Sequence, residues 1–289
     1  MREAINPRRR GLAIALFAAG LCAALPAGAA ASAGYVAMGD SYTAGPGILP
    51  YEEGAPAGCA RSTENYPHLV ARALGLSLTD ISCSGAKTED EEVSQLEGQP
   101  PQDDALGEST RVVSLGMGGN DNNLFGTLLL GCTETDLSTS GKAPCKAKYE
   151  GFVQSSFAAD KGPEEAALRR IKELAPNAKV FVVGYPEIAP AHGVCPLQIP
   201  WTEGDLKWFR TKVEKAGNKM IKEGAKANGA TFVETFKPSE GHNACQAAGT
   251  RWIEPLIGSL TGVPVHPNAT GEENDAYDVE RAMLNHGIR

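Results

Sequence analysis

Tyr35-Val36-Ala37-Met38-Gly39-Asp40-Ser41 is the stretch from which the fold is read. Four apolar residues running into a glycine read as a buried strand that meets a tight turn. Downstream, residues 66–74 place Tyr66, Leu69, Val70, Ala73 and Leu74 on one helical face. Residues 78–81 and 111–115 read as further strands, and Lys179-Val180-Phe181-Val182-Val183, ending at Gly184, is the clearest strand of all. Residues 231–234 supply a fifth. Between them the spacing predicts helices over 152–174, broken near Gly162-Pro163, and over 205–226, with a closing helix over 271–284. Residues 126–149, rich in Gly, Thr and Ser and holding Cys132 and Cys145, read as a stapled excursion. Strands alternating with helices predict an α/β sandwich around a mostly parallel five-stranded sheet.

The 289 residues are 42% hydrophobic and 21% charged, enough for a proper core and consistent with one domain. The net charge is −8, but the first 33 residues hold Arg2, Arg8, Arg9 and Arg10 against Glu3, leaving −11 on residues 34–289. An acidic body repels phosphate backbones, so nucleic-acid binding is excluded.

Arg8-Arg9-Arg10 precedes an apolar stretch over residues 12–25, followed by small residues ending Ala31-Ser32-Ala33. A basic, then apolar, then small-residue order reads as a secretory signal cleaved after Ala33. The apolar run is shorter than the ~20 residues a membrane span needs. The consecutive arginines leave the general and twin-arginine export routes both open. Leu21 before Cys22 replaces the small residue a lipid-anchored signal needs, and no later segment is apolar enough to span a bilayer. The expected product is a secreted, monomeric domain over residues 34–289 with no stable membrane insertion.

Six cysteines follow the signal: Cys59, Cys83, Cys132, Cys145, Cys195 and Cys245. An even count in an exported chain predicts three disulfides. Many pairings are open from spacing, and sequential pairing is the most economical because each bridge closes a local loop. No C-x-x-C or C-x-x-H spacing occurs, so a zinc site is not expected, and no cofactor is implied.

In a parallel sheet, chemistry gathers beyond the carboxyl ends of the strands. Those ends carry Gly39-Asp40-Ser41, then Cys83-Ser84-Gly85, then Gly118-Gly119-Asn120-Asp121, and near the C-terminus Val265-His266-Pro267-Asn268. Singly, Ser41 and Asn120 read as helix caps, Gly85 as a turn and His266 as a loop histidine. Together they supply a nucleophile, two donor positions and a base.

With these motifs in order the chain resembles the SGNH (GDSL) hydrolases, most closely the secreted actinomycete lipases and esterases with three disulfides. Gly184-Tyr185-Pro186 also looks like the family's block after its fourth strand. The resemblance implies a three-layer α/β/α, flavodoxin-like fold and sequential disulfides Cys59–Cys83, Cys132–Cys145 and Cys195–Cys245. It implies Ser41 as nucleophile, His266 as general base and acid, and an oxyanion hole made by the Ser41 and Gly85 N–H groups and the Asn120 amide. Ser41 is a weak nucleophile until a base takes its proton, and the oxyanion of ester cleavage needs aimed donors.

One position departs from the family pattern. Three residues before His266, where an aspartate often orients the histidine, stands Val263. The resemblance therefore implies a Ser-His dyad oriented by the Val263 backbone carbonyl, with Glu254 or Asp275 as alternative carboxylates. His68, His192, His242 and His286 lie apart from any metal-ligand spacing and read as structural or surface residues. The run Glu89-Asp90-Glu91-Glu92 after Thr88 suits a helix N-terminus better than a calcium site. Trp201, Trp208, Phe209 and Trp252 read as core residues, with an acyl groove as the alternative.

The reading is a carboxylesterase or lipase acting on small-molecule or lipid esters. A carbohydrate esterase and a phospholipase are alternatives on the same site. A non-catalytic exported binding protein is the competing class.

Overall fold

Alternate residues of the central strands face opposite ways, and that alternation builds the layers. In the computed structural model, which describes residues 34–134, 142–261 and 263–289, the five strands are β1 (Gly34–Gly39), β2 (Ser77–Asp80), β3 (Thr110–Gly116), β4 (Lys179–Val183) and β5 (Thr231–Val233). They form one wholly parallel sheet in the order β2-β1-β3-β4-β5. Tyr35, Val112, Phe181 and Val233 point to one face, where Val70 of α2 (Tyr66–Leu74) and Val279 and Met283 of α7 (Ala269–Asn285) pack. Val36, Val113, Val180 and Val182 point to the other. There they meet Leu168 and Ile171 of α4 (Pro144–Leu174) and Ile221 and Ala225 of α6 (Lys215–Ala227). Burial on both faces explains why the strands read as continuous apolar runs.

The expected strands lie within a residue or two of the observed ones, and α2 has the predicted bounds. Two elements differ. Residues 126–149 are not simply an excursion: α3 (Leu124–Thr133) occupies the first part and α4 begins at Pro144. Nor does α4 break at Gly162-Pro163. Ser156, Asp160, Glu164, Ala167 and Leu168 are buried along one side across the proline, so packing outweighs its lost N–H. The predicted helix over 205–226 runs from α5 (Glu203–Trp208) through a π-helical turn (Phe209–Glu214) into α6. The export signal and its cleavage at Ala33 lie outside the described residues. The sulfurs are joined sequentially, Cys59–Cys83, Cys132–Cys145 and Cys195–Cys245.

The chain leaves β1 for β2 on one side and then crosses to β3 on the other, so the order reverses between β1 and β3. A crevice forms at such a switch point, beyond the carboxyl ends of the strands. A third apolar cluster roofs that edge, joining Tyr42, Leu124, Phe209, Ile253 and Val265. Among the described residues no helix is long and apolar enough to cross a membrane.

Candidate active site

Gly39 ends β1 against Gly116, where a β-carbon would lie 2.6 Å from the Gly116 carbonyl oxygen, so only glycine fits. The chain then turns into α1 (Ser41–Ala44), capped by Asp40 Oδ1, which accepts the Tyr42 N–H at 2.8 Å. Ser41 thus stands at the first position of a short buried helix, at the switch point.

His266 arrives from the opposite side, and its Nε2 lies 2.8 Å from Ser41 Oγ. Its Nδ1 lies 2.7 Å from the carbonyl oxygen of Pro264. The expected Val263 carbonyl is therefore replaced by that of Pro264. The cause is Val265, held in the left-handed region at φ 57°, which turns the chain so that the carbonyl two residues before the ring faces it. That strained conformation is held by Glu254 on one side and Tyr42 on the other. Val265 N donates to Glu254 O at 3.0 Å, Glu254 N donates to His266 O at 2.8 Å, and the Tyr42 hydroxyl donates to Val265 O. The Tyr42 ring also lies against the imidazole, with centroids 5.0 Å apart.

Neither alternative carboxylate reaches the ring. Glu254 accepts from Leu260 N at 2.5 Å, Arg251 Nη2 at 3.2 Å and Asn268 Nδ2 at 3.2 Å. Burial opposes its ionisation, but these donors outweigh burial and hold its pKa below the usual value. Asp275 is buried on α7, and burial pushes its carboxyl well up. Both ring nitrogens of His266 are engaged, one by Ser41 Oγ and the other by the Pro264 carbonyl. Burial lowers the pKa of His266, against the opposing effect of the Pro264 carbonyl, so the neutral ring prevails at neutral pH.

Gly85 stands at φ +82°, a conformation that suits glycine, in the turn after β2. Among the described residues the N–H groups of Ser41 and Gly85 have no protein acceptor. Asn120 donates one amide hydrogen to Ala86 O at 3.0 Å, leaving the other free. Its neighbour Asp121 accepts from Thr88 N at 2.8 Å and Thr88 Oγ1 at 2.6 Å. These bonds clamp the loop after β3 to the loop that carries Gly85.

Tyr185 of the Gly-Tyr-Pro block bridges two of these segments. Its hydroxyl donates to Asp40 Oδ2 at 2.6 Å and accepts the Gly119 N–H at 2.9 Å. Burial drives the Asp40 pKa up to about 7, against the lowering effects of the hydrogen bonds it accepts from the Tyr185 hydroxyl and the Tyr42 N–H. Tyr42, Tyr185, Thr88 and Pro264 were not identified as site residues from sequence. Their partners lie far away in the chain or, for Pro264, depend on a local backbone reversal.

An apolar pocket opens beside Ser41, lined by Leu124, Phe125, Phe157, Ile188, Phe209 and Val213. The π-helical turn supplies Phe209 and Val213, a kind of irregularity found often at functional sites. Of the aromatic residues weighed for an acyl groove, Phe209 lines this pocket and Trp201 and Trp208 are buried in the core cluster. Trp252 stacks on His242 at 3.9 Å. The acidic run forms a 3-10 turn at Thr88–Glu91, and among the described residues no cluster of three His, Cys, Asp or Glu is arranged to hold a metal.

The GDSL-like lipase/acylhydrolase family matches residues 37–273. The chain is 42% identical to Lipase 2 of Streptomyces coelicolor over 259 residues, covering 88% of this chain and 86% of that protein. It is 31% identical to an esterase of Streptomyces scabiei, covering 96% of each. Among solved structures it superposes on phospholipase A1 from Streptomyces albidoflavus with a TM-score of 0.71 and 29% identity, covering 89% of this chain and 99% of that one.

Proposed function

The chain belongs to the GDSL-like lipase/acylhydrolase family and is a carboxylic ester hydrolase; from that premise we propose that it is secreted and cleaves acyl esters through a Ser41–His266 dyad and an acyl-enzyme. The observation that carries the mechanism is the 2.8 Å contact of Ser41 Oγ with His266 Nε2, with Nδ1 engaged by a carbonyl. A ring held in that tautomer presents a lone pair to the serine hydroxyl. As Oγ attacks the ester carbonyl carbon, His266 takes its proton and becomes the imidazolium, which the Pro264 carbonyl stabilises. The carbonyl oxygen becomes an oxyanion that accepts from the Ser41 and Gly85 N–H groups and from the free hydrogen of the Asn120 amide. Each such donor contributes about 3 kcal/mol to the transition state.

Collapse of the tetrahedral intermediate breaks the ester C–O bond, and His266 returns its proton to the departing alcohol. Water then attacks the acyl-serine, with His266 again as base, releasing the acid and restoring Ser41. The apolar lining by Phe125, Ile188, Phe209 and Val213 supports an acyl chain as the group bound beside Ser41, and so favours lipid or medium-chain esters over acetylated sugars. The three disulfides support export through an oxidising compartment, with residues 1–33 as the signal.

A panel of p-nitrophenyl esters of graded acyl length, with acetylated xylan as comparator, tests the reading. Turnover should rise from acetyl to medium chains and vanish in Ser41→Ala. Preference for acetylated xylan would overturn the acyl-chain assignment, and full activity in Ser41→Ala would overturn the mechanism.

A further inference from the structure

Ten large apolar side chains stand exposed among the described residues, and six of them, Leu49, Tyr51, Val194, Leu197, Ile257 and Leu260, sit on three loops. The first loop follows α1 directly, the second follows β4, and the third leads into His266. Contacts tie the three into one rim. Gly47 packs on Thr261 so closely that a β-carbon would lie 2.9 Å from the Thr261 carbonyl oxygen. Ile257 N donates to Gln198 O at 2.9 Å. The third loop is anchored from within: Leu256 packs into the core cluster and Leu260 N is bound by Glu254, which leaves Ile257 and Leu260 pointing out. Leu197, Leu260 and Leu49 are 80%, 75% and 71% exposed, so the apolar surface is not shared with the core.

The composition of this rim is the second observation. Residues 44–51, 193–202 and 255–261 themselves contain no charged side chain, although the chain as a whole is 21% charged with a net charge of −8. The acids that border them are engaged: Glu52 with Arg61, Glu203 with Gly193 N, and Glu254 with Arg251 and Leu260 N. Contiguous exposed apolar surface marks an interaction site, and here it is continuous with the segments that bear Ser41 and His266. An acidic body is repelled by an anionic surface, whereas an uncharged apolar rim can enter a zwitterionic one.

We propose that these three loops dock the protein onto a zwitterionic lipid surface, so that Ser41 receives its ester from the interface rather than from solution. This proposal rests on the acyl-ester reading of the site and adds where the substrate is presented.

The full-length secreted form carrying Ser41→Ala, which binds without turnover, should co-sediment with phosphatidylcholine vesicles. Replacing a fifth of that lipid with phosphatidylglycerol should weaken binding at low salt. Leu49→Glu combined with Leu197→Glu should lower vesicle binding by about tenfold or more, the effect of placing charge in an apolar contact. In the otherwise active protein the same pair should change turnover of water-soluble p-nitrophenyl acetate by less than about twofold. Leu284→Glu, on α7, serves as the control and should leave binding intact. Absence of vesicle binding, or binding unaffected by the two glutamates, would overturn the proposal. So would a dimer in sedimentation velocity that the two glutamates abolish, because a second copy would then be the occupant. A protein that binds vesicles through these residues yet cleaves no ester would support the docking surface while contradicting the hydrolase mechanism.

Discussion

Tyr185 donates its hydroxyl hydrogen to Asp40 across 2.6 Å, and so joins the residue before Ser41 to the loop that carries Asn120. The same oxygen accepts the Gly119 N–H, which leaves the Gly118–Asn120 turn little freedom. Tyr185→Phe should therefore lower kcat by about 10- to 100-fold, or about 1.4–2.7 kcal/mol, with KM little changed. Loss of a hydrogen bond that favours the charged carboxylate should also move the Asp40 titration upward from about 7. Steady-state kinetics across pH with unchanged circular dichroism checks both; a rise in KM alone would contradict this role.

Activity should rise on the acid side with an apparent pKa below 6.5, the ordinary imidazole value, because burial disfavours the charged ring of His266. A base must be neutral to accept the Ser41 proton, so lowering its pKa extends activity toward acid. The limb is best read in Asp40→Asn, where the carboxyl that titrates near 7 is gone and the helix cap is kept. A midpoint well above 6.5 in that variant would contradict the assignment.

Glu254→Gln separates support of the loop from chemistry. The Arg251–Glu254 pair is nearly buried, and removing one partner leaves a charge uncompensated at a cost of about 3 kcal/mol. The melting temperature should fall clearly. At temperatures where the variant stays folded, kcat should drop by less than about tenfold, since the carboxylate touches neither ring nitrogen of His266. A thousandfold loss with an unchanged melting temperature would show a catalytic carboxylate.

Glu214 connects pH to stability. Its carboxyl is buried in the π-helical turn and accepts from Ile188 N at 2.5 Å, and burial raises its pKa to about 8. Between the unfolded value near ~4.3 and about 8 the folded chain keeps a proton that the unfolded chain has lost, so stability falls as pH rises through that window. Asp40, Asp160 and Glu164 are raised in the same sense. Thermal melts from pH 5 to 9 should show a decline that Glu214→Gln flattens. A decline just as steep in the variant would contradict the assignment.

The strands and the four motifs were legible because each is local: an apolar run, then a glycine, then a polar residue at the strand end. The partner of His266 Nδ1 was not. It depends on the positive φ of Val265, which is held by Glu254 and by Tyr42, the latter 223 positions away. Tyr185 was visible as part of a motif, but its bond to Asp40 spans 145 positions, and no spacing rule reports it. The course of α4 through Pro163 is not legible locally, because propensity argues for a break while the buried side of the helix decides against it. The apolar pocket beside Ser41 needed the π-helical turn, which leaves no mark in the 3.6-residue period.

On the proposed mechanism, His266 turns Ser41 into the attacking group. Treating the protein with an organophosphorus ester and recording intact mass and peptide maps tests it directly. One adduct per chain is expected, on the peptide holding Ser41, absent in Ser41→Ala and formed at least about a thousandfold more slowly in His266→Ala. Stoichiometric labelling of any other residue, or labelling of Ser41 at an undiminished rate in His266→Ala, would contradict it.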